Sequence, residues 1–335
     1  MKNTKSYELL DIFKFIFCIM IIGIHTDLLN YFSSNTNWYV MHLLFRLAVP
    51  FFFITSGFLY GSKILKKDAD ISPITKKYLI RLIIPLIFWL IMGFIPEVIK
   101  RDYNVILTIK EIYKNILFYP YGALWYMYAL VVSIPILSLF YKKGKFVLPI
   151  VLGFFLYIFA LLGNSYYFVT FKIPLLKKIM DFYVDHFLCT RNGIFVGILF
   201  VSLGVYISKI INSKRINMKL VIISFILLYL VLIFEVTFIR NRVYLDDNSL
   251  FISLPFLVSL LVIIFLKYSR NKEHKVLRNL STGMYFMHRV VLEYLLIYFT
   301  FSNNLKVFLI TLVITFIITF ALQSLNNKNI NKIIT

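Results

Sequence analysis

Apolar stretches of helical length, separated by charged connections, run through the whole sequence. They cover residues 9–29, 43–62, 79–96, 124–141, 146–162, 193–211, 218–239, 249–267, 281–301 and 305–324. A helix needs about 20 apolar residues to cross a bilayer, and these stretches reach or approach that length. The pattern predicts an all-α, polytopic integral membrane protein of about ten transmembrane helices, forming a single membrane domain over residues 1–335.

The composition excludes a soluble globular protein. Of the 335 residues, 60% are hydrophobic and 18% aromatic, and the mean hydropathy is +0.83. A soluble chain of this size cannot bury that much apolar surface. The two cysteines, Cys18 and Cys189, fall in a span and in a later connection, so we predict no disulfide. No zinc or haem spacing occurs, and no metal is expected.

The net charge of +21 bears on orientation. In a soluble protein such a charge would indicate nucleic-acid binding, but membrane proteins accumulate Lys and Arg in their cytoplasmic connections. With the N-terminus inside, the inside connections hold roughly twice as many basic residues as the outside ones. We therefore predict a multi-pass protein of the bacterial cytoplasmic membrane, with both termini cytoplasmic and no nucleic-acid partner.

Two of the outside connections, 97–123 and 163–192, are long. The first contains VILTIKEIYKNILFY, residues 105–119, whose apolar residues recur at helical spacing with charges opposite. This pattern predicts an amphipathic helix that lies on the membrane surface or caps a cavity. The second connection is rich in Tyr and Phe with interspersed charges and is compatible with the same arrangement.

The first span carries Asp11, Lys14 and His25. Lys14 and His25 are eleven positions apart, which places them within roughly 20° of one direction and about 16 Å apart along a helix. Asp11, three residues before Lys14, is placed to pair with it. Because a charge at membrane depth costs about 2.5–3.5 kcal/mol, we expect this stripe to face a protein interior or a water-filled cavity. The competing interpretation is that Lys14 snorkels and His25 is simply hydrogen-bonded to a neighbour.

The second span begins with Arg46, followed by Pro50 and the Ser56–Gly57 pair. Pro50 is expected to interrupt the helix one turn after Arg46 and to free a carbonyl group, and Gly57 to permit close helix approach. An interfacial arginine followed by an ordinary kinked helix explains the pattern equally well.

The third span is entered through Lys77, Arg81 and Pro85, which share one helical face. Two cations one turn apart suit a phosphorylated ligand such as coenzyme A or a nucleotide. They suit anionic lipid head groups equally, and a cytoplasmic connection needs no ligand to be basic.

The ninth span contains His288, Arg289 and Glu293. Arg289 and Glu293 are placed to neutralise each other, whereas ion pairing does not explain His288. Ionisable residues within a span are by default a functional-site hypothesis. No GxSxG, HExxH, P-loop or dinucleotide fingerprint occurs, so any chemistry must come from intramembrane His, Lys and Arg.

The combination of these segments resembles the membrane acyltransferase-3 family, the polytopic O-acyltransferases that modify bacterial surface glycans and other acceptors. The resemblance rests on the basic-x10-His spacing of Lys14 and His25, PFFFITSGF at 50–58, the basic entry Lys77, Arg81 and Pro85, the Leu124-Trp125-Tyr126 segment, and Tyr285-x-x-His288. Residues 191–204 are also similar to the membrane half of glycopeptide-resistance serine racemases, which belongs to that family. Two positions depart from the family pattern: Lys14 where Arg is more frequent, and Ala123 where many members have His.

The resemblance implies transfer of an acyl group, acetyl first among candidates, from acyl-coenzyme A on the cytoplasmic face to a hydroxyl of a cell-surface glycan or similar acceptor outside. His25 would be the general base or a transient acyl carrier, with Lys14 and Asp11 orienting the site, and Lys77 and Arg81 would bind the donor's phosphates. For binding of the acceptor substrate, the resemblance implies the residues His288, Trp125, Tyr126 and Arg46. Membrane lipid, and a separate extracytoplasmic transferase that completes the transfer, are further partners consistent with this interpretation.

Two other functions remain open at this stage. The same buried charges and broken helices would serve a permease for a small solute such as serine. Inverted repeats would favour that function, and none is visible in the sequence. A partner subunit without turnover is the third possibility.

Overall fold

The computed structural model describes residues 6–100, 122–212, 216–245, 247–325 and 327. The described residues are largely helical and contain no strand. The helices are α1 Glu8–His25, α2 Ser34–Leu43, α3 Ala48–Ile64, α4 Ile71–Lys100, α5 Trp125–Lys142, α6 Leu148–Leu162, α7 Tyr167–Lys172, α8 Pro174–Phe187, α9 Ile198–Ile210, α10 Met218–Ile239, α11 Leu254–Tyr268, α12 Lys275–Tyr298 and α13 Asn304–Ser324. Short 3-10 turns occupy Leu28–Tyr31, Phe45–Leu47 and Gly122–Leu124, and a π-helical turn at Gly193–Gly197 leads into α9.

The helices match the apolar pattern and confirm the prediction of an all-α, polytopic membrane protein. Each of the ten apolar stretches coincides with a helix. Six helical segments in the described part of the chain are long and apolar enough to cross a membrane, and α6 and α11 are shorter apolar helices. The number of spans and the side of each terminus remain predictions.

The second long outside connection folds as two helices, α7 and α8, which agrees with the arrangement considered for it. Lys177 and Asp181 pair on one side of α8, whereas Met180 on another side is buried. The amphipathic helix predicted at 105–119 lies outside the described residues.

The chain divides into two compact units. The first consists of Met1–Met41, Ile80–Met127 and Arg270–Thr335. Within it α1 packs against α12 and α13, and α12 packs against α13. The apolar side of α1, including Phe17, Cys18 and Ile22, is buried.

The second unit consists of His42–Leu79 and Tyr128–Ser269 and is built around α3 and α9. A Cβ atom on Gly57 would meet the backbone of Val201, and one on Gly61 would meet the backbone of Val205. The paired positions advance in the same direction, so the two helices run parallel. The close approach expected at Gly57 is therefore confirmed, and it depends on having no side chain there.

The expected interruption by Pro50 is wrong in detail. The helix break precedes the proline: α2 ends at Leu43, the 3-10 turn follows, and α3 begins at Ala48. Pro50 thus lies in the first turn of α3, where a missing N–H leaves no intrahelical hydrogen bond unmade. Arg46 lies in the 3-10 turn between α2 and α3, inside the candidate membrane span Ser34–Ile64.

Glu235, considered in the sequence as a weak functional signal, has a structural role in the second unit. One carboxylate oxygen accepts from the hydroxyl of Tyr166 and the backbone N–H of Ile252, each at 2.5 Å. The other accepts from the backbone N–H of Ser253 at 3.1 Å and its hydroxyl at 2.6 Å. The buried carboxylate therefore joins α10 to the start of α11, and its hydrogen-bonding capacity is used within the protein.

Candidate functional site

Two histidines from distant parts of the chain meet in the first unit. His25 is the last residue of α1, and His288 lies in the middle of α12. Their ring centroids are 5.3 Å apart with 36° between the planes. The sequence singled out each residue separately, and the packing of α1 against α12 brings them together.

The surroundings of His288 fix which nitrogen carries its proton. The side chain is 0% exposed, and Nδ1 lies 3.1 Å from the carbonyl oxygen of Met284, one turn earlier. Only an N–H can donate to a carbonyl, so neutral His288 is protonated at Nδ1 and presents a lone pair at Nε2. Nε2 is buried and has no hydrogen-bond partner among the described residues. A buried, unpaired imidazole nitrogen is costly for stability and is available as a proton acceptor.

Aromatic side chains pack next to His288 in this histidine pair. The Tyr285 ring lies 6.1 Å from that of His288, and the Tyr126 ring packs edge-on against Tyr285 at 5.8 Å. The Tyr285 hydroxyl donates to the carbonyl of Ala123. Trp125 and Tyr126 are both buried. The Leu-Trp-Tyr segment and the Tyr-x-x-His segment therefore form one packed group, which orients His288.

A buried carboxylate lies just beyond the histidines on α12. Glu293 is 1% exposed and accepts from the Arg289 guanidinium at 2.7 Å, as the i,i+4 spacing predicted. It also pairs with Lys100 at the end of α4, and Lys100 lies 3.8 Å from Glu97. The pairing of Lys100 with Glu293 was not predicted, because no sequence spacing links two residues 193 positions apart.

Asp11 makes its hydrogen bond and its ion pair with residues other than Lys14. Its Oδ2 accepts from the backbone N–H of His274 at 3.2 Å and lies 3.7 Å from Nη1 of Arg278. Within the described residues, no ion pair of 4 Å or less joins Asp11 to Lys14. Asp11 thus attaches the start of α1 to the start of α12. Lys14 remains about 16 Å from His25 along α1.

Lys77 and Arg81 lie one turn apart on α4, and both are exposed. The boundary between the two units falls between them. Arg46 belongs to the second unit, where it bonds to Asp247. Within the first unit, His25 contacts His288, and Tyr126 is linked to His288 through Tyr285. Arg46 and Lys77 belong to the second unit.

The fold and this cluster define a class: a polytopic α-helical membrane protein with two imidazoles enclosed at the junction of two helices. The chain belongs to the acyltransferase-3 family, because the family model, described as an acyltransferase domain, matches residues 7–323.

Three curated relatives carry racemase names. An amino-acid racemase of Enterococcus faecalis is 25% identical over 331 residues, which are 95% of this chain and 46% of the relative. A second amino-acid racemase of that organism is 30% identical over 62% of this chain and 29% of the relative. A serine/alanine racemase of Enterococcus gallinarum is 26% identical over 83% of this chain and 40% of the relative. The chain thus spans less than half the length of these relatives. No solved structure matches it.

Proposed function

We propose that this protein is a membrane O-acyltransferase that moves an acyl group, acetyl first among candidates, from acyl-coenzyme A to a hydroxyl of a cell-surface glycan or similar extracytoplasmic acceptor. The observation that supports this most is the buried His288, whose unpaired Nε2 lies in a ring 5.3 Å from that of His25. Membership of an acyltransferase family supports the reaction class.

The two histidines would have different roles in proton transfer. His25 is only partly buried and terminates α1, so it is the ring that an acceptor hydroxyl reaches first. His25 would take the hydroxyl proton as general base while the oxygen attacks the acyl carbon. His288, with its proton held at Nδ1 by Met284, would orient His25 and stabilise the charge that His25 acquires. Arg289, Glu293 and Lys100 would hold this part of α12 in place.

The donor supplies an acyl thioester, whose carbon–sulfur bond breaks as the ester bond forms. The leaving thiolate would take the proton from His25, which restores the neutral imidazole and releases coenzyme A as a thiol. Lys77 and Arg81 are the residues we assign to its phosphates: both are exposed, cationic and one turn apart. Lys14, about 16 Å from His25 on the same side of α1, would orient the site or hold the thioester end of the donor. A lone lysine ammonium acts here as a point charge, and it lacks the bidentate fork of arginine.

The test uses purified protein in lipid nanodiscs with radiolabelled acetyl-coenzyme A and crude cell-envelope glycan. Release of free coenzyme A and transfer of label to glycan are measured for wild type, His25→Ala and His186→Ala. His186 is an exposed histidine of α8 and serves as the matched control. We expect turnover in wild type and His186→Ala, and a loss of about 10²–10⁴-fold in His25→Ala. Equal rates in all three proteins, or no turnover in wild type, would count against acyl transfer.

A second candidate function, uptake of a small amino acid such as serine, is favoured by the names of the curated relatives, which are amino-acid and serine/alanine racemases. Proteoliposomes loaded with buffer and supplied with radiolabelled serine discriminate the two functions. Uptake without coenzyme A release would support transport, and release without uptake would support acyl transfer.

A further inference from the structure

Helix α8, Pro174–Phe187, has three different sides. Met180 faces the protein and is fully buried. Leu175, Ile179 and Phe182 lie within about 60° of one another around the helix axis and point about 100–160° away from Met180. These three side chains are 70%, 47% and 63% exposed, so they form an apolar strip on the outside of the protein.

The third side of α8 is polar. Lys178 and Asp185 lie within about 20° of each other and roughly 75° from the centre of the apolar strip, and both are exposed. Closer to the buried side, Lys177 forms an ion pair with Asp181. The two lysines of α8 balance its two aspartates, so this side is polar without a net charge.

The contacts of α8 place it at the C-terminal end of α6. A Cβ atom on Gly163, the residue that follows α6, would lie 2.7 Å from Sδ of Met180. The ring of Tyr183 packs edge-on against that of Phe159, in the last turn of α6, at 5.5 Å. Both contacts belong to the middle of α8 and the end of α6, within the second unit.

Helix α6 is too short to cross a bilayer alone. Its 15 residues rise by about 22 Å, whereas the hydrocarbon core is about 30 Å thick, which leaves about 8 Å uncovered. Phe155 and Ile158 are exposed on α6, so its apolar outer side continues towards α8. A helix that lies across this end adds about 10 Å, the diameter of a helix, and the apolar strip of α8 supplies the missing surface.

We propose that α8 is an interfacial helix whose apolar strip, Leu175, Ile179 and Phe182, enters the lipid at the level of the head groups and upper acyl chains, while Lys178 and Asp185 face water. The leaflet is the one at the C-terminal end of α6, which is the outer leaflet in the predicted orientation. The amphipathic pattern of this connection is compatible with a helix on the membrane surface and with a cap over a cavity. The exposure of the strip favours the membrane surface.

The size of the apolar strip favours lipid over a protein partner. Together with Phe171 and Ile173, which are exposed just before α8, the strip comprises five side chains. A stable protein interface takes about 20–30 residues on each side. Lys178, next to the strip, has a long apolar stem that allows its ammonium group to reach the head groups.

This inference goes beyond the acyl-transfer proposal, because α8 contains none of the residues assigned to that reaction. The measurement detects contact with lipid and needs no turnover, so its failure leaves the His25 experiment and its outcome unaffected.

The test is the collisional accessibility of nitroxide spin labels on the protein in lipid nanodiscs. Three variants carry a label on the apolar strip: Leu175→Cys, Ile179→Cys and Phe182→Cys. Lys178→Cys and Asp185→Cys are the matched controls on the polar side of the same helix, and Phe155→Cys on α6 is the lipid reference. Wild type treated in the same way corrects for labelling of Cys18 and Cys189, which are buried.

Oxygen concentrates in lipid, and a charged nickel chelate concentrates in water. We expect the ratio of oxygen to nickel collision rates to be higher for the three strip labels than for the labels at positions 178 and 185. The ratio should be highest at position 155, which is nearer to the centre of the bilayer. Equal ratios on the two sides of α8 would overturn the contact with lipid. Low collision rates with both reagents at the strip would show that protein covers it, and would overturn the proposal as well.

A second measurement uses wild type and needs no substitution. Nanodiscs that contain a phospholipid with a photoactivatable diazirine near its head group are irradiated, and the labelled residues are identified by mass spectrometry. We expect label on the apolar strip of α8. Label on α6 with none on α8 would overturn the proposal.

Discussion

The packing of α3 against α9 allows one stability prediction to be worked out in detail. A Cβ atom on Gly204 would lie 2.7 Å from the backbone nitrogen of Phe58 and 2.9 Å from the backbone carbon of Ile54. Ordinary carbon contacts need about 3.5–4.0 Å, so Gly204→Ala forces the helices apart by roughly 1 Å. The atoms in contact belong to backbone, and no side-chain rotation relieves the clash. Overpacking of this kind costs about 1–3 kcal/mol.

That cost is measurable as a shift in melting temperature. For a unit of this size, 1 kcal/mol corresponds to about 2–4 °C, so Gly204→Ala should lower Tm by roughly 2–12 °C. The two buried cysteines, Cys18 and Cys189, provide the assay, since a thiol-reactive fluorophore labels them only on unfolding. In a Cys18→Ala background, Cys189 reports on the second unit alone.

A matched variant separates this contact from the general effect of added volume. Val231→Ile adds one methylene to α10 at a side chain that is 50% exposed, and it should leave Tm unchanged. If Gly204→Ala melts within about 1 °C of wild type, the close backbone contact is incorrect, because even the lower cost implies about 2 °C.

Three further predictions follow from individual contacts. Glu235→Ala removes the acceptor of the Tyr166 and Ser253 hydroxyls and should cost about 1–3 kcal/mol for each donor left unpaired, measured in the Cys189 melting assay; wild-type stability would contradict the structural role of Glu235. Tyr285→Phe removes the hydrogen bond to Ala123 and should cost about 0.5–1.5 kcal/mol, read from Cys18 labelling in a Cys189→Ala background; no shift would contradict that bond. Hydrogen bonds from Lys177 and Tyr167 hold the pKa of Asp181 below its usual value, so its stabilisation is present above about pH 4 and is lost as pH falls through the lowered pKa. The Tm difference between wild type and Asp181→Asn should therefore be largest near neutral pH and disappear in acid, and a constant difference would contradict the ion pair.

The sequence predicted the helices well because the bilayer imposes a length and a composition on each span. The limits of α10 agree with the apolar stretch 218–239 to the residue. The break before Pro50 was misplaced because a proline is compatible with both a kink and a first turn, and only the neighbouring helices decide between them.

The candidate site was predictable residue by residue but not as an arrangement. His25 and His288 are conspicuous as histidines within apolar stretches, yet their contact depends on how α1 packs against α12. The partners of ionisable residues were predictable only when local: Arg289 and Glu293 pair one turn apart as expected. Asp11 instead bonds to His274 and Arg278, more than 260 positions away, and no spacing rule reaches that far.

We propose that His25 and His288 act as one unit in acyl transfer. The most direct measurement is a double-mutant cycle on the initial rate of label transfer from radiolabelled acetyl-coenzyme A to envelope glycan in nanodiscs, with wild type, His25→Ala, His288→Ala and the double variant. We predict that His25→Ala and His288→Ala each lower the transfer rate by about 10²–10⁴-fold. The double variant should be no slower than the slower of the two single variants. Independent losses that multiply, or a wild-type rate in His25→Ala, would contradict it.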